Sequence, residues 1–170
     1  MPLNQRAPHR TGSDLKVGSE PRIFPLMVQG PLALTAGGSR GLRIENGALV
    51  ASNPPSLDRL RLWKQAAISV KGREDWLFIK LHCHSMDPTQ GNAVLGEGMR
   101  SFLCDLVSGA RERQETLHFT SAREMVNIAL AACDGREGNP GEYRDYRLKR
   151  AREKQTSGQQ LKKSEAVLKG

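Results

Sequence analysis

Apolar residues in this chain recur at two spacings, and the change from one to the other outlines its elements. In GEGMRSFLCDLVSGARER, residues Met99, Phe102, Leu103, Leu106, Val107 and Ala110 fall three and four apart, which predicts an amphipathic helix with a broad apolar stripe. Met125, Ile128, Ala129 and Ala132 repeat at the same spacing. Ser121-Ala122-Arg123-Glu124 ahead of them is a capping box, and Gly135 after them suits a left-handed helix end. A third helix is predicted over SLDRLRLWKQAAIS, opening after Pro54-Pro55 with Ser56 as its cap. Leu57, Leu60, Trp63 and Ala67 lie along one side, and Lys71-Gly72 ends it. WLFIKLH (76–82) is a short continuous apolar run between turn signals and reads as a buried strand. ETLHF (115–119) alternates like a second strand, and the apolar run near 23–29 like a third.

Strands alternating with helices imply parallel pairing. The expected fold is α/β: a partial (β/α) barrel or a small open parallel sheet with flanking helices. Three strands cannot close a barrel, so open edges are expected, and with them self-association or pairing with a missing N-terminal barrel half. Asn46-Gly47 is a candidate two-residue hairpin turn, and Gly37-Gly38-Ser39-Arg40-Gly41 reads as a flexible loop without Walker spacing. By composition, residues 1–20 form a polar leader read as disordered, 21–143 the α/β domain, and 144–170 a basic tail read as disordered or frayed helix.

Charge changes the picture little. The 170 residues carry a net charge of +8, but residues 144–170 hold nine Lys/Arg and three Asp/Glu. The body is left with 17 positive and 15 negative residues. No aromatic residue is interleaved in 147–170, which argues against nucleic-acid binding and for a solvated tail. No run approaches the ~18 apolar residues of a membrane span, and the opening lacks the apolar core of a signal peptide, which points to the cytoplasm and to no membrane partner. Cys83, Cys104 and Cys133 form an odd set without CxxC spacing, and all three read as core residues.

Candidate chemistry gathers in 76–84. In an extended segment the odd residues Leu77, Ile79, Leu81 and Cys83 share one face, entirely apolar. Trp76, Phe78, Lys80, His82 and His84 share the other, which becomes cationic or titratable toward its end. Lys80, His82 and His84 would then climb toward the carboxyl end of the strand, where α/β folds place their sites. Imidazole is both a general acid near neutral pH and the commonest metal ligand. His118, near the end of the next predicted strand, could point to the same mouth. A catalytic metal such as zinc needs three protein ligands, here His82, His84 and a third such as Asp87 or His118; only a complete set would make a metal site.

WLFIKLHCHSMD, with LHFTSAREMVNIALAACDGREGNPGEYRDYRL downstream, resembles the C-terminal part of bacterial polysaccharide deacetylase-like proteins of the glycoside hydrolase/deacetylase superfamily. The resemblance spans residues 21–150 and implies a distorted (β/α) barrel that removes acetyl groups from N-acetylated sugars, a hydrolase acting on C–N amide bonds. It implies a divalent metal held by an aspartate and two histidines of early strands, with a late-strand histidine as general acid. His82 takes that last position, and Lys80, His84 and His118 become substrate-binding candidates, with His84 and Asp87 a weak metal pair. The early TFDD-like and HSxxH-like motifs are absent, and only His9 precedes the late site. The chain is thus expected to be a truncated, carbohydrate-linked domain inactive alone. The alternatives are a metal-dependent hydrolase using the 82–84 HxH pair, and a non-enzymatic binding protein acting through its basic tail.

Overall fold

The computed structural model describes residues 14–19, 21, 26–36, 41–84 and 90–149. Their elements are β1 (Ala33–Ala36), β2 (Leu42–Glu45), α1 (Leu57–Gln65), α2 (Gly91–Leu95), α3 (Glu97–Glu112) and α4 (Ala122–Cys133), followed by a 3-10 turn at Pro140–Tyr143. The architecture is mixed α/β. Among the described residues its only sheet is the antiparallel ribbon β1–β2, so no parallel sheet and no barrel is present there. The tails of 1–13 and 150–170 lie outside the described residues, as do 23–25 of the strand expected near 23–29.

The helices follow the local signals closely. Ser121 Oγ accepts the Glu124 amide while the Glu124 carboxylate accepts the Ser121 amide, closing the capping box of α4. At the other end Gly135 takes φ +70, its amide reaches the Ala132 carbonyl and the Arg136 amide that of Ala131, a Schellman stop. α1 ends at Gln65, six residues short of the expected Lys71-Gly72 stop. Ala67 turns to φ +46, the Ile68 carbonyl accepts the Phe78 amide, and Val70 enters the core. Long-range pairing thus overrides a helical pattern that has no glycine to stop it. Leu57 is exposed and Ala67 lies beyond the helix, so Leu60 and Trp63 carry the buried side of α1.

Segment 76–82 is neither a helix nor a sheet strand; its one strand-like link is the parallel bridge of His82 with Ala48. Segment 115–119 pairs with nothing as a strand. The reason lies in what flanks 76–84. Ile79, Leu81 and Cys83 pack on an apolar cluster of Leu49, Leu60, Trp63 and Phe102, built by α1 and α3. Trp76 and Phe78 pack on a second cluster with Val70, Ile128, Ala132 and Cys133, built by α4. The two clusters take up Trp76 and Phe78 on one side and Ile79, Leu81 and Cys83 on the other, so the segment buries these five without sheet neighbours. Leu77, expected on the apolar face, is exposed.

The hairpin is displaced as well. β1 and β2 pair Ala33 with Glu45 and Ala36 with Leu42, so Asn46-Gly47 lies beyond the paired ribbon and is not its turn. Gly47 instead takes φ +74 just beyond β2, where a Cβ would come within 3.0 Å of Pro31. That position requires glycine, and Asn46 Oδ1 supports the turn by accepting the Ala48 amide.

Candidate functional site

His82 is held by its backbone. Its amide donates to the Gly47 carbonyl (3.2 Å) and its carbonyl accepts the Leu49 amide (2.8 Å). The 45–49 segment is in turn fixed by a buried polar network. Arg59 Nε and Nη2 donate to the two Glu45 oxygens at 2.8 Å each, and Trp63 Nε1 donates to Glu45 Oε1 at 3.0 Å. The Gly47 amide donates to the same carboxylate. The remaining guanidinium hydrogens go to the carbonyls of Asn53, Pro54 and Ala48. Burial alone would push the Glu45 carboxyl up, but the hydrogen bonds from Arg59, Trp63 and Gly47 outweigh it and hold its pKa at about 2. A chain of contacts therefore runs from α1 through Glu45 and Gly47 to the position of His82.

This network was not read from the sequence. Glu45 and Arg59 stand 14 residues apart, and charged residues are rarely buried unless paired. The available signal was that Arg59 and Trp63 share a side of α1 four residues apart, with Leu60 beside them.

His82 and His84 do come together. Their rings lie edge to face with centroids 6.5 Å apart. His82 is half-buried, and its Nδ1 is buried without a hydrogen-bond partner; His84 is exposed. Lys80 is half-buried, and its chain passes close to Gly30, where a Cβ would meet the Lys80 carbonyl at 3.2 Å and its Cδ at 3.7 Å.

His118 is seated by a different part of the chain. It packs against the turn at Pro140–Tyr143, where a Cβ on Gly141 would come within 3.0 Å of its ring. Its Nε2 is buried without a partner, and desolvation, reinforced by the Arg144 charge, pushes its pKa down. ETLHF is irregular chain and not the expected strand, with Glu115 paired to Lys64 of α1 and the Phe119 carbonyl accepting from Arg144. Asp87 lies outside the described residues.

Among the described residues, no three His, Cys, Asp or Glu side chains gather closely enough to hold a metal. His82 and His84 offer two imidazoles and no described third donor, which does not fit the divalent metal that the resemblance implies. Of the cysteines, Cys133 is buried, Cys83 lies partly buried on the apolar side of the segment, and Cys104 is exposed on α3 instead of lying in the core. No described helix is long and apolar enough to cross a membrane.

The sequence matches no family model, and no curated protein or solved structure matches it.

Proposed function

We propose that the chain is a deacetylase-like α/β domain that supplies the histidine-bearing wall of a carbohydrate site and does not hydrolyse its substrate alone. The observation that carries this reading is the approach of His82 and the exposed His84 on a segment whose Ile79, Leu81 and Cys83 pack into an apolar cluster. Two adjacent imidazoles, one half-buried and one exposed, suit a ligand rich in hydroxyl and amide groups. In this role His82 gives a proton to the departing sugar amine as water adds to the acetyl carbon and the C–N bond breaks, and His84 hydrogen-bonds the sugar. Lys80, behind them, adds positive charge. The early TFDD-like and HSxxH-like motifs that would activate the water are absent from the sequence, which is the basis for the inactive reading.

The test has two arms. Acetate release from N-acetylglucosamine oligomers should be absent with the chain alone, with or without added zinc. Robust metal-dependent release overturns the inactive reading. In the second arm, the imidazole resonances of His82 and His84 should shift when the oligomer is added, and the His84 response should weaken in His82→Ala. Unmoved resonances remove the carbohydrate site. Zinc content that falls in His84→Ala relative to the parent would instead favour the metal-dependent hydrolase.

A further inference from the structure

The ribbon β1–β2 is turned inside out. In its register Leu34 faces Ile44 and Ala36 faces Leu42, so these four lie on one face, with Leu32 next in line. That face looks outward: Leu32, Leu34, Leu42 and Ile44 are 69%, 68%, 79% and 61% exposed. The opposite face carries Ala33, Thr35, Arg43 and Glu45, and it is Glu45 that reaches into the interior. A half-buried antiparallel sheet normally hides its apolar side and wets its polar one. A two-stranded ribbon is also marginal in water on its own.

We infer that this face is the contact between two copies of the chain, ribbon laid on ribbon about a two-fold axis. The four large side chains leave about 400 Å² of apolar surface in water, within the range of the largest patches on ordinary monomers. Two such faces together remove about 800 Å². At an apolar share of roughly 60%, this corresponds to a whole contact of about 1,300 Å², inside the span of specific stable interfaces. A two-fold contact requires a patch that matches itself, and a face of Leu, Ala and Ile without a charge does so. It offers no charge with which to select an unlike partner. Each copy carries a net charge of +8, so the copies repel at long range and salt strengthens their association.

Sedimentation equilibrium on the full chain tests this. A species of twice 18.7 kDa should be populated at about 50 μM and increase as salt is raised from about 50 to 300 mM. Leu34→Thr combined with Ile44→Thr leaves a β-branched residue at both strand positions, and circular dichroism should show its fold unchanged. It should weaken association by about tenfold or more. Leu95→Ser, on a second exposed apolar patch at α2, should leave association unchanged. A chain that stays monomeric at about 100 μM overturns the inference, as does a dimer that the ribbon variant leaves intact or that Leu95→Ser dissociates.

Discussion

The two apolar clusters share segment 76–84 as a common wall, yet each is closed differently. The α1/α3 cluster is closed by charge: Glu45 and Arg59 are buried beside Trp63, with the carboxylate and guanidinium given partners on every side. The α4 cluster has an apolar centre and is closed by a clasp. Asn127, fully buried, donates to the carbonyls of Arg144 and Leu148 and accepts the amides of Arg147 and Leu148. Arg147 adds two contacts to Asp134, and Tyr146 donates to the same carboxylate. The first solution fixes the position of His82 and carries the greater risk, because a buried pair is costly once either partner is lost. The second pins irregular chain onto a helix, with most of its charges at the surface.

The comparison can be broken most forcefully at Ile128. Ile128→Asp places a charge in the α4 cluster and should cost about 4 kcal/mol or more, read as loss of the cooperative urea transition. Next, Arg59→Leu leaves Glu45 buried and unpaired and should cost about 3–5 kcal/mol in the same assay, with Glu45→Gln/Arg59→Leu recovering part of it. The same pair sets an acid limit. Folding lowers the Glu45 pKa from 4.5 to about 2, so its contribution is complete above 4.5 and lost as pH falls toward 2. That loss is about 3 kcal/mol and should be absent in Glu45→Gln.

A smaller effect, about 2–3 kcal/mol, is expected from Asn127→Ala, which removes the clasp. Hydrogen exchange should show it at the Arg147 and Leu148 amides before any change near His82. The mildest effect belongs to His118. Its pKa is lower in the folded chain, so stability is complete above about 6.5 and declines as pH drops below that value. The melting temperature should fall modestly between pH 7.5 and 5.5, and less so in His118→Phe.

The sequence made the helices legible where short-range chemistry decides them. The Ser121–Glu124 box and Gly135 bracket α4 because each cap involves neighbours a few residues apart. The two faces of 76–84 were legible as alternation, and Ile79, Leu81 and Cys83 do pack as one set. What covers those faces was not legible, because alternation records burial and is silent on whether a strand or a helix provides it. The parallel sheet was inferred from that silence. The ribbon was missed although Leu32, Leu34, Leu42 and Ile44 alternate around a Gly-rich segment, because Asn46-Gly47 gave the stronger turn signal. At the candidate site, the meeting of His82 and His84 follows from their spacing, whereas the seat of His118 against Gly141 depends on where 115–119 runs.

One consequence of the shared wall concerns chain length. Because Trp76 and Phe78 serve one cluster and Ile79, Leu81 and Cys83 the other, inserting or deleting one residue near Lys80 would turn the second set away from its cluster. Such a change would thrust His82 toward Trp63 and Phe102 and carry Leu81 to the opposite side. This stretch can therefore accept new residue types far more readily than a new number of residues.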